Sequence, residues 1–253
     1  MNETKIFNLL VVSWFSLAAI VFVALFFIVA PYGRYARRGW GLAMNDRLGW
    51  IIMESAAPLV FLVLYFLGPY NGSPISIIFL IMWESHYLHR AFIFPFTLGK
   101  NAKRMTLAVI IMGFVFNGVN AYLNGRYVYN FSRGYPDDWI KDPRFILGVL
   151  LFIVGFVINR HSDNILLKLR QPGESGYKIP YGGFYRWISC PNYFGEIVIW
   201  IGWALMTWSL AGIAFATWTA ANLIPRARSH QKWYTQHFAD YPTERKTLLP
   251  GIW

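Results

Sequence analysis

Apolar runs long enough to cross a bilayer recur along the whole chain, separated by polar, proline and glycine clusters. Because a helix rises 1.5 Å per residue, about 20 apolar residues span the hydrocarbon core. The runs predict seven transmembrane helices, at residues 7–30, 49–68, 74–96, 105–123, 144–159, 193–208 and 210–225. The last two are joined only by Ser209–Gly212, which indicates a tight antiparallel hairpin or one long broken helix. The fold class predicted is an all-α integral membrane protein.

Composition fits this class, with 56% hydrophobic and 19% aromatic residues. The chain has no internal repeat of 20–50 residues and no low-complexity linker, so we expect a single domain over residues 1–253. The first run is too long for a cleaved signal peptide and is expected to stay in the mature protein. Cys190 is the only cysteine and the five histidines are scattered, so we expect no metal.

The formal net charge of +11 raises the question of nucleic acid, but the basic residues lie between the predicted spans. They follow the first, third and fifth spans and fill the C-terminal tail, which are alternate connecting segments and therefore lie on the same side of the membrane. The positive-inside rule then places the N-terminus outside and the C-terminus in the cytoplasm. We therefore expect a multi-pass membrane protein with no nucleic-acid partner. We also expect a monomer, in the inner membrane if the protein is bacterial and in the endoplasmic reticulum if it is eukaryotic.

Two pairs of polar residues in the C-terminal half are spaced for one helix face. Asn159 and Asp163 are four residues apart at the end of the fifth span, and Asn192 and Glu196 are four apart at the start of the sixth. An acidic side chain within an apolar run costs about 2–3 kcal/mol on insertion scales, so Glu196 is expected to face a polar cavity. The alternative is a charge that is favourable at a helix N-terminus.

A third set lies in the tail, where Arg226, His230 and Tyr234 repeat at intervals of four and Arg245 follows. A cation, an imidazole and a phenol on one stripe suit a phosphate and an aromatic ring system. A basic helix attracted to anionic lipid would have the same pattern. The chain contains no G-x-G-x-x-G, P-loop or H-E-x-x-H motif, so any ligand is expected to bind among helices.

Ionisable residues also lie inside the second and third spans, where they are functional candidates by default. The second span contains Glu54, and the third contains "WESHYLHR", with Glu84, Tyr87 and Arg90 among its polar residues. Glu84 and Arg90 could instead satisfy neighbouring groups at opposite ends of their span.

Together these segments resemble the steroid 5α-reductases. The resemblance rests on "INRHSDNILLKLRQPGESGYKIPYGGFY", "NYFGEIVIWIGWALMTWSL", "FADYPTERKTLLPGIW", "HYLHR" and the glutamate of the second span. It implies seven transmembrane helices that enclose NADPH, with the adenine end near the cytoplasmic loops. The cofactor-binding positions it implies are Asn159, Asp163, Arg170, Tyr177, Lys178, Asn192, Glu196, Arg226, His230, Tyr234 and Arg245. It assigns Glu54 and Tyr87 to the substrate carbonyl and leaves Glu84 a structural role.

The chain departs from that family at three places. Met53 stands where members often carry glutamine, and Lys178 replaces an arginine, which keeps the charge and loses the bidentate fork. After the third span, "GKNAKR" replaces an expected asparagine and arginine.

The resemblance implies hydride transfer from NADPH to C5 of a 3-oxo-Δ4-steroid or another flat enone. Tyr87 would donate to the oxygen that becomes an enolate, assisted by a protonated Glu54 that is buried away from cations. The alternatives are a reductase of an enoyl thioester or polyprenol, and an S-adenosylmethionine-dependent carboxyl methyltransferase, for which Glu54 and Tyr87 have no role. A lipid-binding or transport protein is a further alternative, but it leaves the phosphate-suited residues unexplained.

Overall fold

A computed structural model describes residues 2–28, 41–97, 104–169 and 176–253. The helices are α1 (Glu3–Phe27), α2 (Asp46–Leu67), α3 (Pro74–Leu88), α4 (Phe94–Thr97), α5 (Leu107–Arg126), α6 (Pro143–Lys168), α7 (Pro191–Thr207) and α8 (Leu210–His237). Two π-helical turns, His89–Ile93 and Tyr127–Phe131, and two 3-10 turns, Asp137–Lys141 and Gly183–Arg186, extend or connect them. Six of the seven predicted runs each correspond to one helix, and the third corresponds to α3, the π-helical turn His89–Ile93 and α4.

Four described helical segments are long and apolar enough to cross a membrane: Glu3–Phe27, Asp46–Leu67, Leu107–Phe131 and Pro143–Lys168. This agrees with an all-α membrane protein, and the full count of seven spans stays a prediction. A pair of three-residue strands departs from all-α structure: β1 (Ala43–Asn45) and β2 (Arg104–Thr106) are antiparallel, with Met44 opposite Met105. Strands this short leave no periodic signal, so the sequence did not predict them.

The chain divides into two compact units. The first contains Met1–Leu10 and Pro31–Ile146, and the second contains Val11–Ala30 and Leu147–Trp253. The single-domain assignment stays a prediction, and each unit is described by itself.

In the first unit, α2 and α5 pack closely along their lengths. A Cβ on Gly49 would lie 2.7 Å from Ile110, and a Cβ on Gly113 would lie 2.4 Å from Met53. Further along both helices, a Cβ on Gly125 would lie 2.9 Å from Leu64. Because the contacts advance together along the two sequences, the helices run in the same direction.

The predicted third span is not one regular helix. After α3 it widens into the π-helical turn His89–Ile93, in which the Phe94 N–H bonds to the His89 carbonyl five residues back. Pro95 has no N–H to donate to the carbonyl of Ala91, so the regular bond is missing there. This turn contains Arg90, one helical turn beyond Tyr87.

In the second unit, α6 and α7 approach backbone to backbone. Glycines spaced by seven face each other: a Cβ on Gly155 would lie 2.7 Å from the carbonyl oxygen of Gly195, and a Cβ on Gly148 would lie 2.7 Å from that of Gly202. Small residues permit such close contact between apolar helices. The polar ends of both helices are thereby brought within hydrogen-bonding reach.

The last two helices form a hairpin, which resolves the two alternatives left open by the sequence. Trp208 ends α7 in the left-handed conformation with φ of 43°, and the Ser209 hydroxyl accepts from the Gly212 N–H at 2.9 Å. Beyond the predicted end of the span at residue 225, α8 continues to His237. The stripe Arg226, His230 and Tyr234 therefore lies on one helix.

Candidate active site

Glu54 is buried in α2, at 4% exposure, and accepts hydrogen bonds at both carboxylate oxygens. Arg90 Nε donates to Oε1 at 3.1 Å, and Asn117 Nδ2 donates to Oε2 at 3.2 Å. Arg90 also lies over the Trp50 ring at 5.3 Å, while Trp50 Nε1 donates to the Arg90 carbonyl at 3.0 Å. The carboxylate is therefore held from two sides.

This geometry corrects one expectation. The sequence led us to place Glu54 away from cations and to assign it a neutral, proton-donating form, whereas a guanidinium lies against it. Arg90 lies 36 residues further along the chain, in the π-helical turn, which the sequence pattern does not reveal. In both of its side-chain hydrogen bonds, to Arg90 and to Asn117, Glu54 is the acceptor.

Tyr87 is buried at 3% exposure on α3, in an aromatic setting. Its ring packs against Trp83 with centroids 4.9 Å apart, and Trp83 in turn stacks on Phe61 at 4.4 Å. Trp83 Nε1 donates to the Ala57 carbonyl at 3.2 Å. These contacts fix the tyrosine ring within the same unit as Glu54.

The two polar pairs predicted in the C-terminal half meet in one network between α6 and α7. Asn159 Nδ2 donates to the Asn192 carbonyl and to Glu196 Oε2, both at 3.0 Å. Asn192 Nδ2 donates to Asp163 Oδ1 at 3.0 Å. Trp200 Nε1 donates to the other oxygen of Glu196 at 3.1 Å. Glu196 therefore has polar partners inside its apolar helix.

The stripe on α8 is linked to α7 through Tyr193. The Tyr193 hydroxyl hydrogen-bonds with His230 Nε2 at 3.1 Å, and Arg226 lies over the Tyr193 ring at 5.4 Å. Both stripe residues are half-buried, whereas Tyr234 is buried and stacks on Tyr241 at 5.3 Å. Groups suited to a phosphate and to an aromatic ring thus lie along one helix face.

Arg245 is the most unusual cation of the second unit. Its side chain is buried at 3% exposure between the rings of Tyr181 and Tyr241, at 5.4 and 5.1 Å. Its Nε and Nη1 atoms are buried and have no hydrogen-bond partner among the residues that the structure describes. A buried guanidinium with free donors is costly unless an anion completes it.

The segment around Arg245 is fastened to the rest of the unit by backbone and side-chain bonds. The Ser189 and Lys246 N–H groups donate to the carbonyls of Lys246 and Trp187, both at 2.8 Å. Gln231 on α8 donates to the Arg245 carbonyl at 2.8 Å and accepts from the Thr247 hydroxyl. The Tyr241 hydroxyl donates to Ser189 at 2.7 Å, and burial raises the pKa of that phenol.

The remaining predicted cofactor residues are less enclosed. Tyr177 packs against Trp233 with centroids 4.9 Å apart, and Lys178 is exposed. Arg170 and the "GKNAKR" segment up to Lys103 lie outside the described residues. Within the described ranges, no three histidine, cysteine, aspartate or glutamate side chains are grouped as metal ligands would be.

Sequence reasoning missed Asn117 and the role of Arg90. A signal was present, since Asn117, Asn120 and Asn124 recur at intervals of three and four in an apolar span. All three are buried, at 6%, 1% and 1% exposure. The recurrence of asparagine on one face of an apolar helix could therefore have predicted that this face contacts other polar groups.

Comparisons with known proteins identify the family of this chain. Residues 103–253 match the family model described as 3-oxo-5-alpha-steroid 4-dehydrogenase. The chain is 37% identical to a steroid 5-alpha-reductase of Gossypium hirsutum, over 100% of this chain and 99% of that protein. It is 41% identical to 3-oxo-5-alpha-steroid 4-dehydrogenase 1 of Bos taurus, over 94% and 93%, and 41% identical to that of Homo sapiens, over 87% and 85%. The chain therefore belongs to the 3-oxo-5-alpha-steroid 4-dehydrogenase family and is an oxidoreductase that acts on CH–CH bonds.

Proposed function

We propose that the protein reduces the C4–C5 double bond of a 3-oxo-Δ4-steroid with NADPH as the reductant. Membership of the family supports the reaction class. The observation that carries the cofactor is the buried guanidinium of Arg245, whose Nε and Nη1 have no partner in the described structure. An anionic phosphate would supply the missing acceptors, and arginine recognises phosphate through paired N–H donors.

The other residues of the second unit suit the rest of a dinucleotide. His230 and Arg226 offer a donor and a cation beside the Tyr193 ring, and Tyr234 offers an aromatic face one turn further along. The amide and carboxylate groups between α6 and α7 can bond hydroxyl and carboxamide groups. The residues that would hold the cofactor are Asn159, Asp163, Arg170, Tyr177, Lys178, Asn192, Glu196, Arg226, His230, Tyr234 and Arg245.

When bound, NADPH would supply the hydride for C5 of the enone, solvent would supply the proton for C4, and the residues around the substrate would have to stabilise the negative charge that develops on the C3 oxygen. Tyr87 donates a hydrogen bond to that oxygen in an aromatic, water-poor setting, where a fixed donor stabilises developing charge most effectively. Glu54 orients the carbonyl region. Because Arg90 balances its charge, Glu54 does not oppose the enolate as an isolated anion would.

Four variants test this division of roles. Glu54→Gln and Tyr87→Phe should lower turnover while the dissociation constant for NADPH stays near that of the wild type. Arg245→Ala and Arg170→Ala should raise that dissociation constant. Both quantities can be measured on purified protein in detergent, and Lys232→Ala serves as an exposed-cation control on α8. Equal loss of NADPH binding in all four would overturn the assignment.

A reductase of another conjugated lipid, such as an enoyl thioester or a polyprenol, is the second candidate. Such a reductase would bind NADPH with the same residues as a steroid reductase and would differ from it only in the conjugated substrate. Turnover of each substrate class by the same preparation separates the two. Binding of S-adenosylmethionine in place of NADPH would favour the methyltransferase alternative.

A further inference from the structure

Asn117 is a buried amide that joins α5 to the candidate catalytic residue of α2. Its Nδ2 atom donates to the Met53 carbonyl at 2.9 Å and to Glu54 Oε2 at 3.2 Å. An amide nitrogen carries two hydrogens, and these two bonds use both of them. One side chain thus donates hydrogen bonds both to the backbone carbonyl before Glu54 and to the carboxylate of Glu54 itself.

The backbone fixes the position of this amide. One turn before Asn117, Gly113 admits the Met53 side chain, and a Cβ there would lie 2.4 Å from Met53 Cγ. The two helices therefore cannot separate or slide at this level without losing a close contact. In addition, Pro58 has no N–H to donate to the Glu54 carbonyl, so the regular helix bond that would stiffen α2 here is missing. The two hydrogen bonds from Asn117 replace part of the restraint that the missing helix bond would supply.

The second carboxylate oxygen is held from a different element. Arg90 donates to Oε1 from the π-helical turn, while Asn117 donates to Oε2 from α5. A glutamate side chain has three rotatable bonds, and its last torsion is broad. Two donors on opposite oxygens fix that torsion, and a single donor would leave it free to turn.

We propose that Asn117 is a positioning residue for the reaction, which holds the Glu54 carboxylate, together with Arg90, in the orientation that the enone carbonyl requires. This inference rests on the proposed function, because it assigns Asn117 an effect on turnover through Glu54. The competing explanation is a purely structural bridge between two helices.

A double-mutant cycle separates the two explanations. Asn117→Ala removes both bonds, and Asn117→Asp keeps the shape of the side chain without its donor. Each should lower the rate of steroid reduction by about 10-fold to 100-fold, since a small misplacement of a reacting group has effects of this size. In a Glu54→Gln background the same change should lower the remaining rate by less than about 3-fold, because residues that act through one another are not additive.

Asn124→Ala is the matched control. It removes a buried amide from the same helix, where Asn124 Nδ2 donates to the carbonyl and Oδ1 of Asn120, one turn earlier, at 3.0 and 3.4 Å. Melting temperature and the NADPH dissociation constant are measured for every variant, so that a general loss of folding is separated from a loss of positioning. Single-turnover product formation over hours keeps slow variants measurable.

Non-additive losses with unchanged NADPH binding are the expected result. If wild-type protein reduces the steroid and the two losses are additive, or if Asn124→Ala slows the reaction as much as Asn117→Ala, Asn117 has only a structural role. If wild-type protein binds NADPH and reduces no steroid, the proposed function itself is wrong and this inference falls with it.

Discussion

At the scale of single residues, the burial of Arg245 is the feature that most needs a ligand. Within the described part of the chain, its Nε and Nη1 have no hydrogen-bond partner, and its guanidinium lies over the rings of Tyr181 and Tyr241. Cation–π contacts of this kind offset only part of the cost of removing a guanidinium from water. The chain therefore keeps a destabilising group at this position, as functional sites often do.

Replacing that cation with an apolar side chain of similar length should separate stability from binding. Arg245→Met is expected to keep or raise the melting temperature of the cofactor-free protein, because the unpaired charge is removed. It should also abolish the rise in melting temperature that NADPH produces, which reports binding directly. Differential scanning fluorimetry in detergent measures both, with Lys232→Met as the exposed control. A variant that melts lower and still responds to NADPH would contradict this account.

The residue pattern predicted which polar side chains share a helix face better than it predicted their hydrogen-bond partners on other helices. The i, i+4 spacing of Asn159 with Asp163, and of Asn192 with Glu196, anticipated two polar faces that the structure brings together. The pairing of Glu54 with Arg90 and Asn117 was not anticipated. Spacing along one helix defines which side chains share a face, but the neighbouring helix that covers this face depends on tertiary packing.

At the scale of helices, the glycines of α6 and α7 determine how closely the two polar faces approach. A Cβ on Gly155 would lie 2.6 Å from the backbone nitrogen of Ile199, which is backbone and cannot rotate away. A Cβ on Gly118 of α5 would meet no atom within 4 Å. The same substitution should therefore have opposite effects at the two positions.

Gly155→Ala should lower the melting temperature and weaken NADPH binding, because α6 must move away from α7 and stretch the bonds between Asn159 and Glu196. Gly118→Ala should leave binding unchanged and stabilise its helix by up to about 1 kcal/mol, the usual difference in helix propensity. Melting temperature and NADPH affinity of the two variants test this. Equal destabilisation by both would show that the close contact is not the cause.

Hydrophobic periodicity predicted that the helices exist, but it did not predict the local helix geometry of the third span. The apolar runs predicted where the helices lie, and the spacing of Arg226, His230 and Tyr234 predicted a helix beyond the last span, as α8 shows by continuing to His237. The π-helical turn at His89 was not predicted. A proline removes one donor and leaves the helix to continue if packing supports it. Hydrophobic periodicity, by contrast, does not distinguish a π-helical turn from a regular helical turn, so the turn at His89 left no signal in the sequence.

At the scale of the whole molecule, the distribution of lysine and arginine predicts the orientation in the membrane. The single native cysteine, Cys190, is buried, so a Cys190→Ser background permits labelling at one introduced position. Asn2→Cys should react with a membrane-impermeant maleimide on intact cells, whereas Gly251→Cys should react only after permeabilisation. The reverse pattern would contradict the prediction that the N-terminus is outside and the C-terminus is cytoplasmic.

The account as a whole depends on one chemical event, the transfer of hydride from NADPH to C5 of a 3-oxo-Δ4-steroid. The most direct measurement supplies purified protein with NADPH that carries deuterium at the transferable position, together with testosterone, and locates the label by mass spectrometry and NMR. We predict a 5α-reduced steroid with deuterium at C5 and a solvent-derived hydrogen at C4. Absence of a reduced product despite bound NADPH, or deuterium at any other carbon, would contradict the proposed reaction.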